Sequence, residues 1–269
     1  MVTIRPSESW ATPDLRELWA YRELLYFLVW RDVKVRYKQT ALGVTWVVLQ
    51  PLLTTLVFTV FLGRLARVPS DGAPYPLFVY VGLLPWSFFS SSVMLSGLSL
   101  VGNSHLVTKI YFPRAIIPMA AVGARLVDLA VSVVILAVML LYYRATPGAG
   151  MLMVPPLMAL AALLALGGGM LTSALNVKYR DVGAVLPVVI QLCMYVSPVL
   201  YPVSIVPEGW RRVYALNPLV GIIDGFRASV LGRAFDWYAI TVSAVFTLAL
   251  LVCSAYLFRR VERGFADII

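Results

Sequence analysis

Charged side chains are scarce in this 269-residue chain, in which only 13% of residues are Asp, Glu, Lys or Arg. Soluble domains carry about 25% charged and about 45–50% apolar residues, whereas 61% of this chain is hydrophobic. This composition excludes an ordinary water-soluble domain, because only a bilayer accepts so much apolar surface from one short chain. We therefore predict an all-α integral membrane protein with a single membrane domain over residues 1–269.

Histidine and cysteine are almost absent, since the chain has one His and two Cys. His105 stands alone, and Cys193 and Cys253 lie in apolar runs, where a buried thiol is more ordinary than a disulfide. The sequence also lacks a Walker A pattern and a nucleophile elbow, and Gly167-Gly168-Gly169 lacks the Lys and Ser/Thr of a phosphate loop. We therefore expect no catalytic residue, metal or cofactor in this chain.

A net charge of +9 raises the question of nucleic acid. The basic residues, however, lie at the ends of apolar runs and not along a soluble face, which argues against nucleic-acid binding. The first twenty residues contain charged residues and no apolar core, so we expect no cleavable signal peptide. The first span itself should direct insertion.

Six apolar runs predict six transmembrane helices. They lie at 43–62, 77–101, within 115–143, and at 151–176, 182–203 and 237–258, each close to the ~20 residues that cross a bilayer. Residues 1–42 then form a cytoplasmic lead and interface helix, 43–258 a six-span bundle, and 259–269 a cytoplasmic tail. Basic residues concentrate on the side that this arrangement places inside, which predicts the cytoplasmic (inner) membrane with both termini in the cytoplasm.

The segment before the first span reads as an amphipathic helix lying along the inner membrane surface. Its apolar positions fall near one helical face. They are Leu15, Leu18, Trp19, Leu25, Val29, Val33 and Tyr37. Arg31, Lys34, Arg36 and Lys38 place positive charge beside the lipid phosphates.

The segment 204–236 is too short and too charged to cross the membrane. Asn217-Pro218 predicts the N-terminus of a helix that contains Asp224 and Arg227 and stops at Gly232. We expect a re-entrant or outer-surface helical hairpin between spans five and six.

Polar groups within the spans suggest where function lies. Arg125 and Asp128 are three residues apart on one helix face and can pair inside the bundle, in either a structural or a transport role. Gln50-Pro51 in span one and the proline-rich span five, with Gln191 and Ser197, suggest faces toward water or protein.

Several short motifs follow one another in a specific order. They are 31–38 with Leu42-Gly43, Trp46 and Pro51; Phe112-Pro113-Arg114 with Pro118; Asn176 with Tyr179-Arg180-Asp181; Ser197-Pro198-Val199-Leu200-Tyr201; and Asn217-Pro218 with Arg227. In this order they resemble the permeases of type-2 ABC exporters for O-antigen, capsular polysaccharide and teichoic acid. The resemblance covers roughly residues 20 to 235.

The resemblance implies a homodimer that docks on two ATP-binding-cassette subunits, which hold the ATP and Mg²⁺, and that exports a lipid-linked glycan. It implies ATPase contacts through the interface helix, the 102–114 connection and the 178–181 turn. These contacts are Arg31, Lys34, Arg36, Tyr37, Lys109, Phe112, Arg114 and Arg180. It also implies an outer gate in the hairpin, with Trp210, Asn217, Asp224 and Arg227.

Spans one and five would line the substrate pathway. The candidates are Trp46, Gln50, Phe58, Phe61, Gln191, Tyr195, Ser197 and Tyr201. Aromatic rings offer apolar faces to sugar C–H groups, although Trp and Tyr also anchor helices at membrane interfaces in general. A drug or small-lipid exporter of the same architecture and an integral-membrane transferase remain the alternatives.

Overall fold

The computed structural model describes residues 15–38, 44–109, 111–145 and 148–262, and every regular element in these ranges is helical. The α-helices are α1 Leu15–Ala20, α2 Arg22–Lys38, α3 Val44–Phe58, α4 Tyr75–Gly102, α5 Ser104–Lys109, α6 Ile116–Tyr142, α7 Val154–Lys178, α8 Val182–Val196, α9 Glu208–Tyr214, α10 Pro218–Leu231 and α11 Trp237–Glu262. A π-helix, Thr59–Leu65, continues α3, and 3₁₀ turns at Ala149–Met153 and Val203–Ile205 precede α7 and α9.

Five helical segments in the described part of the chain are long and apolar enough to cross a bilayer. They are Thr45–Leu65, Tyr75–Gly102, Ile116–Tyr142, Ala149–Lys178 and Trp237–Glu262. They confirm the helices predicted for spans one to four and six. The last of them continues past the predicted end at Phe258 to Glu262, into the segment expected to be a tail.

The helix predicted over 182–203 is shorter than expected. It ends at Val196 after 15 residues, which is ~22 Å at 1.5 Å per residue, against a hydrocarbon core of ~30 Å. The cause is local, because Ser197 precedes Pro198 and takes an extended conformation with φ −107° and ψ 151°. Helix length alone therefore supports five spans and leaves α8 as a shorter apolar helix.

Small residues bring the long helices together around α4. Ser96 is fully buried and faces Gly169 of α7, where a Cβ would overlap the serine. Gly167 on the same helix lies against the backbone of Leu251 in α11. The glycine triplet thus serves close helix packing, as small residues do in membrane bundles.

The described helices meet at two opposite ends of the bundle. At one end, Leu28 of α2, Phe112, Val177 of α7 and Phe258 of α11 share one buried apolar cluster; we call it the α2 end. At the other, the beginning of α4 packs with α10 and the last turns of α6; we call it the hairpin end. The first described helices and the C-terminal end of the last one, α11, therefore lie at the same end of the molecule.

The hairpin places α10 inside the bundle. Its N-terminus is capped by Asn217, whose Oδ1 accepts a hydrogen bond from the Leu219 amide at 3.0 Å, and Gly232 ends it with φ 68°. Both ends are as the sequence predicts. Eleven of its residues are buried among α4, α7 and α11, which fits the re-entrant alternative better than a cap lying on the outer surface.

Arg227 joins α10 to the break after α8. Its side chain is fully buried and donates to the carbonyl oxygens of Pro198 at 2.5 Å, Val199 at 2.6 Å and Tyr201 at 3.2 Å. It also stacks 3.8 Å from the ring centroid of Phe78. The proline-broken segment leaves these three carbonyls without helical partners. One guanidinium supplies the hydrogen bonds that they lack.

The N-terminal helix packs differently from the expected amphipathic pattern. Leu25 and Val29 pack against the α2-end cluster, and Val29 meets α6 at Gly123. Trp19, which the pattern placed on the same face, is 71% exposed, and Tyr26 and Trp30 are also exposed. Both sides of the helix are therefore apolar.

Arg227→Met should be strongly destabilising. The substitution leaves several buried carbonyls without a donor, at about 1–3 kcal/mol each, so we expect a loss of about 3 kcal/mol or more. Thermal unfolding of the detergent-solubilised protein measures it. Arg212→Met, at an exposed position of α9, is the control, and equal melting temperatures for the two variants would contradict this role of Arg227.

Candidate functional site

A cavity of about 750 Å³ lies between α2, α3, α4 and α6. Its polar and aromatic lining consists of Arg36, Tyr37, Trp46, Gln50, Thr54, Trp86, Ser87, Phe88, Ser90, Ser91, Arg125, Asp128 and Ser132. Ligand sites of proteins commonly have volumes of about 300–1,000 Å³. This cavity is therefore large enough for a ligand. Its lining offers a ligand hydroxyl groups, indole rings and guanidinium groups.

Asp128 is the centre of an ionic cluster at the edge of this cavity. Its Oδ2 accepts hydrogen bonds from Arg36 Nη1 and Arg125 Nη1, both at 2.7 Å. Its Oδ1 accepts a hydrogen bond from the hydroxyl of Tyr37. Burial, with this hydrogen bond, raises the pKa of Tyr37 to about 12, so the phenol keeps its proton at neutral pH.

The cluster fastens α2 to α6. Arg36 and Tyr37 belong to the last turn of α2, whereas Arg125 and Asp128 belong to the middle of α6. Hydrogen bonds to a charged group contribute ~1.5–3 kcal/mol each. Residues that the sequence assigned to two different roles, ATPase contact and intramembrane ion pair, therefore form one structural unit, which we call the α2–α6 clasp.

The other predicted ATPase-contact residues lie at the α2 end in two groups. Arg31 donates to Asn103, the residue after the end of α4, at 2.9 Å. Arg114 donates to the main-chain carbonyl of Glu262 in α11, and Phe112 is only 5% exposed. These three residues hold the α2 end together. Lys34, Lys109 and Arg180 are exposed at the same end.

The predicted pathway residues are spread over the molecule. Trp46 and Gln50 line the cavity, and Phe58 packs against the main core. Phe61 is exposed in the π-helix that continues α3, and Gln191 and Tyr195 are exposed on α8. Ser197 is buried and bonded to Asn217, and the Tyr201 hydroxyl is bonded to the Tyr195 carbonyl. Within one chain, these eight residues do not form a single lining.

At the hairpin end, Asp71 connects the α3–α4 loop to the hairpin. Its carboxylate accepts hydrogen bonds from Ser204 Oγ at 2.7 Å and from Arg233. Burial alone would raise the pKa of Asp71, but the bonds from Ser204 and Arg233 outweigh it and lower the pKa. The carboxylate is therefore ionised at neutral pH, and the loop is tied to the hairpin.

The four predicted outer-gate residues have different surroundings. Trp210 is 66% exposed on α9, Asn217 caps α10, and Arg227 is fully buried. Asp224 lines a cavity of about 350 Å³ with Asp71 and Arg233. Sequence reasoning missed the two residues that join the loop to this hairpin, Asp71 and Arg233, because they are far apart in the chain.

The cavity serines were also missed. Ser87, Ser90 and Ser91 line it, whereas Ser92, Ser96 and Ser99 of the same helix are buried in helix packing. The abundance of serines in α4 was the sequence signal that could have indicated them. Within the ranges that the structure describes, no group of three His, Cys, Asp or Glu residues could hold a metal ion.

Asp128→Asn should loosen the α2–α6 clasp. The change removes the charge that two guanidinium groups share, so we expect amide hydrogen exchange in α2 to rise by about tenfold or more, corresponding to the loss of about 1.4 kcal/mol or more. Hydrogen-exchange mass spectrometry measures it. Asp32→Asn, which removes only a partly exposed pair with neighbouring Arg31, is the control. Unchanged protection of α2 in Asp128→Asn would show that the clasp does not hold the helix.

Comparison with known proteins agrees with this architecture. The chain is 30% identical to the O-antigen export system permease protein RfbA of Myxococcus xanthus over 258 residues, 94% of this chain and 98% of that protein. It is 28% identical to the protein of the same name from Klebsiella pneumoniae over 248 residues, 92% and 95% of the two chains. It is 23% identical to the polysialic acid transport protein KpsM of Escherichia coli over 243 residues, 87% and 92%. Residues 23–231 match the family described as ABC-2 type transporter, and the chain therefore belongs to the ABC-2 type transporter family.

Proposed function

We propose that this chain is the membrane subunit of an ATP-driven exporter that moves a lipid-linked polysaccharide, of O-antigen, capsule or teichoic-acid type, outward across the cytoplasmic membrane. The observation that carries this proposal is the similarity to an O-antigen export permease over 94% of the chain. A second relative, named for polysialic acid transport, is also a carrier of a sugar polymer by its name. The substrate class is thus taken from two differently named relatives.

In the proposed assembly, two copies of the chain dock on two ATP-binding-cassette subunits, which bind ATP and Mg²⁺. The α2 end faces the cytoplasm, so both termini lie inside. The short α8, continued by residues 197–203, serves as the sixth crossing. Its beginning lies beside Asn176 at the end of α7, and the segment after it reaches Phe78 at the hairpin end through Arg227, which supports this path.

The ATPase would dock on the exposed basic residues of the α2 end, Lys34, Lys109 and Arg180. The other predicted contact residues transmit its movement. Arg36 and Tyr37 connect α2 to α6 through the clasp, and Arg114 connects the 102–114 connection to α11 through Glu262. A shift of α2 would therefore displace α6, and a shift of the 102–114 connection would displace α11, because packed helices move as rigid units.

The cavity lining favours a glycan over the small-lipid alternative. It combines two indole rings, Trp46 and Trp86, with hydroxyl groups and the Gln50 amide. A purely aliphatic lining would suit a small lipid, whereas sugars need both apolar faces and hydrogen-bonding groups. The transferase alternative would instead need a catalytic group with a partner, and the acid in this cavity, Asp128, is occupied by two guanidinium groups and a phenol.

The function is tested in cells that lack their own permease of this class. The chain is supplied with its cognate ATPase, with a Walker-A variant of that ATPase, or alone. Surface polysaccharide should appear only with the active ATPase, and the two proteins should co-purify. Export by the chain alone, or the appearance of a new glycan bond without transport, would overturn the proposal.

Docking on the ATPase should depend on the exposed basic residues. The double variant Lys109→Glu/Arg180→Glu turns attraction into repulsion, and since an exposed charge pair contributes about 0.2–1 kcal/mol, we expect about a tenfold loss of ATPase affinity. Titration of the purified permease with the ATPase measures it. Arg67→Glu, an exposed position in the α3–α4 loop, should bind as the wild type does. If the double variant binds equally well, the docking surface lies elsewhere.

A further inference from the structure

The 750 Å³ cavity carries more positive charge than its own residues neutralise. Two guanidinium groups, Arg36 and Arg125, and one carboxylate, Asp128, line it, and Tyr37 stays neutral. Both arginines share the same carboxylate oxygen. One positive charge in this partly buried site is therefore left without a counter-charge from the residues that line the cavity.

Arg125 also keeps an unused donor there. The residue is 9% exposed, and its Nε has no hydrogen-bond partner among the described residues. A buried donor without a partner costs about 1–3 kcal/mol, and more when the group is charged. Because the Arg125 side chain lines the cavity, a rotation of its guanidinium group would bring this donor to an anionic ligand there.

The rest of the lining suits an oxyanion. Ser87, Ser90 and Ser91 follow one another along α4 and line the cavity, with Gln50 and Thr54 on the α3 side. The hydroxyls of Ser90, Ser91 and Thr54 donate to main-chain carbonyls of their own helices and would rotate to donate to an anion. Phosphate groups are bound by arginine forks together with hydroxyl donors. The one carboxylate on this lining is already held by three donors, so it does not oppose an anion with a free charge.

The position of the cavity suggests a lipid as the carrier of that anion. One wall is α3, whose apolar residues Leu49, Leu52 and Leu53 are exposed on a segment that is a candidate membrane span. An alkyl chain can lie along this face while its headgroup occupies the cavity. Trp46 is half-exposed and lies between the cavity and the apolar face of α3. Tryptophan is a side chain typical of the membrane interface.

We propose that this cavity binds the phosphate or pyrophosphate headgroup of a lipid-linked ligand, with Arg36 and Arg125 contacting the anion. Asp128 is a positioning residue that holds the two guanidinium groups side by side. This inference deepens the proposed function and rests on it, because it places the charged link between lipid and glycan at the junction of α2, α3, α4 and α6.

The test uses the complex of the chain with its ATPase in nanodiscs of zwitterionic lipid. Three probes are titrated, farnesyl pyrophosphate, inorganic pyrophosphate and farnesol, and binding is followed by tryptophan fluorescence. Farnesyl pyrophosphate should bind at least tenfold more tightly than either of the others. Equal binding of inorganic pyrophosphate would overturn the lipid part of the proposal, and equal binding of farnesol would overturn the anion site.

The variants locate the site. Arg36→Gln should weaken farnesyl pyrophosphate binding at least tenfold, and Arg36→Lys should restore part of it. Arg125→Gln combined with Asp128→Asn removes the buried pair together and should weaken binding similarly. Arg144→Gln, at an exposed position just beyond the end of α6, is the matched control and should bind as the wild type does. Because Arg36 is the more exposed arginine, its variants decide the question if the double variant does not fold.

The outcome is separable from the proposed function. If the wild-type complex exports polysaccharide but Arg36→Gln binds farnesyl pyrophosphate normally, the site is wrong and the exporter assignment stands. If the wild-type complex binds the probe yet exports no polysaccharide with its active ATPase, the exporter assignment fails.

Discussion

Every backbone polar group inside an apolar bundle must find a partner within the protein, and this constraint governs the hairpin end of the molecule. The Ser197–Pro202 segment cannot bond its own carbonyls in helical fashion, because its prolines interrupt the helix. Arg227 reaches it from α10 and donates to the carbonyls of Pro198, Val199 and Tyr201. The position of α10 and the end of α8 therefore depend on each other through one side chain.

The same constraint explains the polar groups at the other end. Asp128 lies in an apolar helix and is stabilised by Arg36, Tyr37 and Arg125, while Arg114 and Glu262 join the 102–114 connection to α11. These contacts connect surface elements at the α2 end to the long helices. In the proposed assembly, where a soluble ATPase drives the protein from one side, such connections would be needed, since apolar packing alone offers little directional attachment in a bilayer.

The candidate site combines residues that the sequence placed in separate roles. Trp46 and Gln50 were assigned to the pathway, Arg36 to the ATPase contact and Arg125 to an ion pair, yet all four line one cavity. A charged cavity beside the segment that we propose as the ATPase contact would be a natural place for loading a substrate. Substrate binding and the position of α2 would then influence each other, because Arg36 takes part in both.

The sequence by itself determined the helical class, the five long spans and both ends of α10. These features follow from hydrophobic run length, from Asn217 and Gly232 at the helix ends, and from the rarity of charge, which are local properties of the chain. Motif order was also sufficient to indicate the transporter family. The pairing of Arg125 with Asp128 was foreseen, because the two lie three residues apart on one helix.

Only the tertiary structure decided which distant residues meet. Asp71 and Arg233 are 162 positions apart, and Arg36 and Asp128 are 92 apart, so no periodicity relates them. The path of the chain after α8 depends on the Arg227 guanidinium of another helix, which bonds the carbonyls that the helix break leaves free. Local propensity acts over a few residues. Buried charges and carbonyls, in contrast, find their hydrogen-bond partners on distant parts of the chain that only the folded structure places beside them.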